Sequence, residues 1–270
     1  MRTSPFLCPN YDRPVAGPRI DLNSDVGESF GSWHLGHDEA LIPLVSSINV
    51  ACGFHAGDPL VMARTVGLAR RVGVAIGAHP GYPDLVGFGR RDLDMAPDEL
   101  EAALLYQVGA LAAIASAADT ELQHVKPHGA LYNRASVDPE VARTIARAVR
   151  GFSRELVLVG LAGSALLDAG REAGLRVAAE AFADRAYEPD GTLRSRRLPE
   201  AVLSDPQLVA RRAVAMATES RVEAIDGSIV ELHADTICLH GDTPGPAAIA
   251  HAVRAALDAA GVRVQPFGRT

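Results

Sequence analysis

The sequence predicts an α/β protein built on a parallel sheet, and three observations carry the prediction. Short apolar runs alternate with helix-like segments about seven times, the order that β-strand and α-helix units with right-handed crossovers produce. The runs are continuous rather than alternating, as in Glu155–Gly163, which suits strands buried on both faces. Most runs also end in polar, reactive residues, and in a β/α barrel the site is built at the C-terminal strand ends. By pattern alone, a closed barrel and an open doubly wound sheet both fit.

The runs are Ile20–Asp25, Ile48–His55, Val74–His79, His124–His128, Leu156–Leu161, Val177–Arg185 and Thr236–Asp242. Between them the helix starts are legible. Asp58-Pro59, Asp138-Pro139 and Asp205-Pro206 each place a capping carboxylate before a proline at the first helical position. Gly73, Gly151, Gly174 and Gly261 fall where helices should stop. From Pro97 to Ala118, the residues Leu100, Leu104, Val108, Leu111 and Ala115 recur at the helical period. Asp98, Glu99 and Glu101 crowd the start of that segment, where the helix dipole favours anions. Ala186–Ser204, rich in charge and proline, is expected to be a long loop above or beside the sheet.

Composition sets outer bounds. The chain has 270 residues, 48% of them hydrophobic, enough for a full core and incompatible with a disordered chain. Residues 1–18 carry four prolines and no apolar segment, so a flexible N-terminal arm is expected there rather than a signal peptide, with one barrel domain over 19–270. The formal net charge is -7 and no basic patch recurs, which argues against nucleic acid as a partner. No uninterrupted apolar stretch is long enough to span a bilayer, so no membrane association is expected. Cys8, Cys52 and Cys238 are few, odd in number and widely spaced, and indicate reduced thiols and a cytoplasmic location.

The first constellation is Asp21-Leu-Asn23-Ser-Asp25-Val-Gly27-Glu28. Strand alternation puts Asp21, Asn23 and Asp25 on one side, and inward polar groups are costly unless they hydrogen-bond or bind something. His55 and His79 close the second and third runs, and Asp58 is explained by capping alone. Arg90 offers a clamp for a carboxylate, while Arg91 is expected to pair with Asp92 or Asp94. Lys126 and His128 share a parity at the fourth run, and a lysine facing inward requires a carboxylate partner or an anionic ligand. Asp184 and Arg185 can pair with each other, and His240 is better placed for chemistry than Asp242. Asp25, His55, His79 and His240 carry donors for a mixed oxygen/nitrogen metal site, but no short histidine spacing supports one, and no metal ligand is assigned. Phosphate-loop patterns are absent around Gly87–Gly89 and Gly160–Gly163, so ATP, if used, is not held here by a P-loop.

The strings DLNSDVGESFG, NVACGFHAGDP, GVAIGAHPGYPDLVGFGRR, QHVKPHGALYN, FADRAY and TICLHGD, in this order, resemble the LamB/YcsF family from about Arg19 to the C-terminus. The family's Asn-Ala-Asp-Leu-Gly-Glu pattern reads here as Asn23-Ser-Asp25-Val-Gly27-Glu28, with the polar residues kept. The resemblance implies a seven-stranded parallel β/α barrel, TIM-like and akin to the glycoside hydrolase/deacetylase superfamily. It also implies ATP-dependent cleavage of 5-oxo-L-proline (5-oxoproline) to L-glutamate, shared with B and C subunits that bind most of the ATP. On that reading Asp25, Lys126 and His128 are the expected catalytic groups. Asn23, Glu28, His55, His79, Arg90 and His240 are the expected substrate-binding ones. The alternatives are a metal-dependent amide or polysaccharide deacetylase and a non-catalytic substrate-binding subunit.

Overall fold

The computed structural model describes residues 17–241 and 245–267; Cys8, Asp242 and nearly all of the expected N-terminal arm lie outside them. The strands are β1 (Arg19–Val26), β2 (Ser47–Ala51), β3 (Ala75–His79), β4 (Leu122–Val125), β5 (Val157–Leu161), β6 (Arg176–Phe182), β7 (Arg221–Glu223), β8 (Ile229–Glu231), β9 (Thr236–Cys238) and β10 (Arg263–Val264). Strands β1 to β6 and β9 pair in parallel, and β9 returns to β1 with Asp21 beside Thr236 and Asn23 beside Cys238. That last pairing closes the sheet and decides for a seven-stranded barrel over an open sheet.

The helices are α1 (Asp38–Leu41), α2 (Pro59–Val72), α3 (Pro97–Ala117), α4 (Gly129–Val137), α5 (Pro139–Phe152), α6 (Ala165–Glu172), α7 (Pro206–Glu219) and α8 (Pro246–Ala259). Each expected aspartate caps as its sequence context predicts: Asp58, Asp138 and Asp205 accept from the backbone of residues two and three positions on. Asp58 also accepts from Gly31 N at 2.8 Å and so ties the loop after β1 to the start of α2. Helix α3 buries Leu100, Leu104, Val108, Leu111 and Ala115 on one face, as its periodicity predicts. By length and composition α3 would also pass for a bilayer span (mean hydropathy 1.5), although Asp98, Glu99 and Glu101 interrupt its start and this face is packed in the core.

Three features depart from expectation. Gly151 does not end α5, which continues to Phe152 and stops at Ser153 in extended backbone. The β7–β8 hairpin and β10 carry no sequence signature, because two- and three-residue strands with exposed edges leave no apolar run to detect. Arg91 pairs with Asp84 rather than with Asp92 or Asp94.

The barrel interior is divided by height. Toward the N-terminal end, Val157, Val159 and Ala178 form an apolar layer against Phe267, which follows β10. Above it the interior is polar, unlike the stacked branched aliphatics of most barrels. Gly77 in β3 has no side chain, and the His124 ring occupies the space where a Cβ would stand. His124 Nε2 then reaches Asn49 Oδ1 at 2.7 Å. The Ala186–Ser204 segment is a loop, as expected, and Thr192 and Arg194 from it line the cavity at the barrel mouth.

Candidate active site

The inward positions of β1 are polar at every level. Asp21, at the bottom, accepts from Ser46, Ser47 and Thr236 hydroxyls at 2.7, 2.8 and 2.5 Å. Burial pushes its carboxyl up to about 6, against those hydrogen bonds, so Asp21 is a structural group deep under the site. One level up, Asn23 donates to Glu180 Oε1 (2.9 Å) and Thr236 Oγ1 (2.7 Å) and accepts from Asn49 Nδ2 (2.7 Å). Asn49 Nδ2 also lies 2.8 Å from Asp25 Oδ1. These amides hold the two carboxylates on either side of Lys126.

Lys126 follows β4 directly, its side chain buried in the barrel mouth. Its ammonium lies 2.9 Å from Asp25 Oδ1, 2.8 Å from Glu180 Oε1 and 3.3 Å from Cys238 Sγ. Tyr132, Leu161, Phe182 and Cys238 form an apolar collar at this level, with the Phe182 ring 5.5 Å from the ammonium. Burial alone would depress the lysine, but Asp25 and Glu180 outweigh it and hold the ammonium well above its ordinary value. For Asp25 burial acts upward, and His79 and Lys126 overcome it and hold the carboxylate well below the usual range. The expected need of Lys126 for a carboxylate partner is met twice.

Three imidazoles pack beside this pair. His79 Nε2 is 3.3 Å from Asp25 Oδ2, and its Nδ1 donates to the Lys126 carbonyl at 2.8 Å. His128 Nδ1 lies 3.0 Å from His79 Nε2, and its Nε2 donates to the Phe88 carbonyl at 2.8 Å. His55 stacks face to face on His128, with centroids 3.8 Å apart, and neither of its buried ring nitrogens has a hydrogen-bond partner among the described residues. Burial brings His128 down to about 3 and holds His55 well below the ordinary histidine value. Glu28 Oε1 is 3.9 Å from His128 Nδ1. The donors of Glu28, His55, His79 and His128 all lie within 4.8 Å of one another, whereas Asp25 and His240 group instead with Cys238. The set that converges is therefore not the Asp25, His55, His79, His240 set considered from sequence.

Across the mouth, His240 Nδ1 lies 2.9 Å from Asp184 Oδ2, and the His240 backbone N–H donates to the same oxygen at 3.1 Å. Asp184 thus turns to His240, while Arg185 donates to the carbonyls of Ala201 and Arg194. Arg90 lines the cavity with its guanidinium 5.0 Å from the Phe88 ring centre. The cavity, of about 950 Å³, opens over Asp25, Lys126, His128 and His240.

Residues 20–270 match the profile of the LamB/YcsF family. The chain belongs to the LamB/YcsF family. It is 61% identical to the A subunit of 5-oxoprolinase from Chloroflexus aggregans over 246 residues, which are 91% of this chain and 98% of that relative. The protein of the same name from Heliobacterium modesticaldum is 54% identical over 253 residues, 93% of this chain and all of the relative. The crystal structure of a lactam utilization protein from Thermus thermophilus superimposes with a TM-score of 0.88 at 51% identity, covering 92% of this chain and 100% of that one.

In this LamB/YcsF chain all nine sequence-predicted residues gather at the mouth or just below it. Two groups escaped the sequence reading. Glu180 is a single acid between Ala179 and Ala181 inside the apolar run of β6, and its parity with Phe182 and its place in an otherwise apolar stretch are the usable signals. Asn49 opens the motif that ends in His55, and it links Asn23, Asp25 and His124.

Proposed function

We propose that this chain is the barrel subunit of an ATP-dependent 5-oxoprolinase, opening the lactam of 5-oxo-L-proline to L-glutamate together with B and C subunits in the cytoplasm. The names of its relatives support the substrate class, and one observation carries the chemistry. Lys126 is fixed as a cation between two carboxylates at the floor of the cavity, with Asp25 at its open side. A lactam is a poor electrophile, so the partners transfer the γ-phosphoryl group of ATP to the lactam oxygen and release ADP. Water then adds to the activated carbon and gives a proton to Asp25, the C=N π electrons pass to the ring nitrogen, and Lys126 stabilises the negative phosphoryl oxygens. The ring C–N bond breaks as the nitrogen takes up a proton. The resulting acyl phosphate reacts with a second water to give the glutamate carboxylate and inorganic phosphate.

His128, one of the expected catalytic groups, is poorly placed to protonate the nitrogen, because its two ring nitrogens are engaged with His79 and the Phe88 carbonyl. We assign that role to His240, which as an imidazolium donates its Nδ1–H to Asp184 and its Nε2–H to the departing nitrogen. Arg90 at the cavity wall is assigned to the substrate carboxylate.

The test is glutamate release from 5-oxoproline and ATP by this chain alone, by the partner subunits alone, and by all together. Release only from the full mixture supports the reading. ATP-independent amide hydrolysis by this chain alone would replace it with the deacetylase-like alternative.

A further inference from the structure

The outer nitrogens of His79 and His128 each donate to a backbone carbonyl, of Lys126 and of Phe88. In a neutral imidazole one nitrogen carries the proton and the other a lone pair. The inner nitrogens therefore face each other, His79 Nε2 against His128 Nδ1 at 3.0 Å, with Asp25 Oδ2 3.3 Å from His79 Nε2. These electron-rich atoms converge only with a positive charge among them, either a second proton on His79 or a bound cation. A proton would satisfy this pair alone, yet a second demand lies beside it. His55 is 1% exposed and both of its ring nitrogens lack a partner among the described residues, which is costly for a buried polar group. Its ring is held against His128 by close packing: a Cβ on Gly81 would come within 2.8 Å of His55 Nδ1, and one on Gly89 within 2.9 Å of His55 Cβ and 2.8 Å of His128 Cδ2.

We propose that Glu28, His55, His79 and His128 bind one divalent transition-metal ion. Three imidazole nitrogens and a carboxylate are a donor set suited to zinc and its neighbours rather than to magnesium or calcium. The carbonyl contacts of His79 and His128 are the outer hydrogen bonds that metal-ligating histidines characteristically make, fixing tautomer and ring orientation. All four donors fall within 4.8 Å of one another, and Asp25 and Lys126 stand at the edge of the group. When bound, such an ion supplies Lewis-acid chemistry beside the cavity. The inference does not depend on the lactam-opening reading, because binding is measured without turnover.

The experiment uses the untagged full chain, stripped with a chelator and dialysed. Co²⁺ is titrated by visible absorption and Zn²⁺ by calorimetry. One ion per chain is expected, with His55→Gln and His128→Gln each weakening binding by at least ~100-fold, the upper end of losses seen when metal-site support is removed. The wild-type Tm should rise with metal concentration, as for any ligand of the native state. No Co²⁺ band and no heat of binding at millimolar metal would overturn the proposal, as would unchanged affinity in both variants. If the histidine variants do not fold, Glu28→Gln decides: weakened binding supports the site, and unchanged binding overturns it.

Discussion

Lys126 Nζ lies 2.8 Å from Glu180 Oε1, and the lysine and glutamate side chains are 3% and 0% exposed. Such a pair is poor evidence of stabilisation, because desolvating two charges cancels most of their attraction. Its expense in the barrel interior points to function. Lys126→Met should therefore abolish glutamate release by the assembled complex. It should also lower stability, by the roughly 3–5 kcal/mol typical of a broken buried pair, since Asp25 and Glu180 are left facing each other. Adding Glu180→Gln should recover much of that stability without recovering activity. Chemical denaturation and glutamate assays on the single and double variants separate the two effects.

Asp21 gives a pH signature of the fold itself. Its folded value is about 6 against an ordinary 3.8, so between these limits the native state holds a proton that the unfolded chain has released. Stability from this group is complete below about pH 4 and is lost as pH rises through 6. The span corresponds to roughly 3 kcal/mol at 1.36 kcal/mol per pH unit. Asp21→Asn should remove this segment. The difference in unfolding free energy between variant and wild type should therefore move in the variant's favour from pH 4 to pH 7. A constant difference across that range would contradict the assignment.

Gly77 and His124 are coupled by space. A methyl group at Gly77 would overlap the His124 ring, so Gly77→Ala should cost about 1–3 kcal/mol, the usual range for overpacking. With His124→Ala in the same chain, the two effects should be clearly less than additive. Double-mutant unfolding curves measure this directly.

The helix caps serve as controls away from the mouth. Asp205→Ala should cost about 1 kcal/mol of stability and leave glutamate release unchanged, because among the described residues its side chain caps the Gln207 and Leu208 N–H groups and nothing at the mouth.

Much of this architecture is written locally. Asp-Pro pairs mark helix starts because capping and proline geometry act within one turn, and all three lie where they were expected. The parity of Asp21, Asn23 and Asp25 was enough to place them inside. What the sequence hid is nonlocal. Nothing near Lys126 shows that its second carboxylate comes from Glu180, and nothing near His55 shows that it will stack on His128. Barrel closure itself rests on β9 meeting β1, an encounter between distant residues with no local mark. Gly151 shows the reverse error: glycine ends a helix only when the backbone turns there, and α5 keeps its helical course through it.

On the proposed reading, the barrel performs ring opening rather than merely presenting the substrate. Steady-state kinetics of glutamate release by the full complex carrying Asp25→Asn test it most directly. General-base catalysis is worth about 10²–10⁴-fold, so kcat should fall by that order with KM little changed. A raised KM with kcat intact would show that Asp25 only helps to bind 5-oxoproline, and would contradict the account.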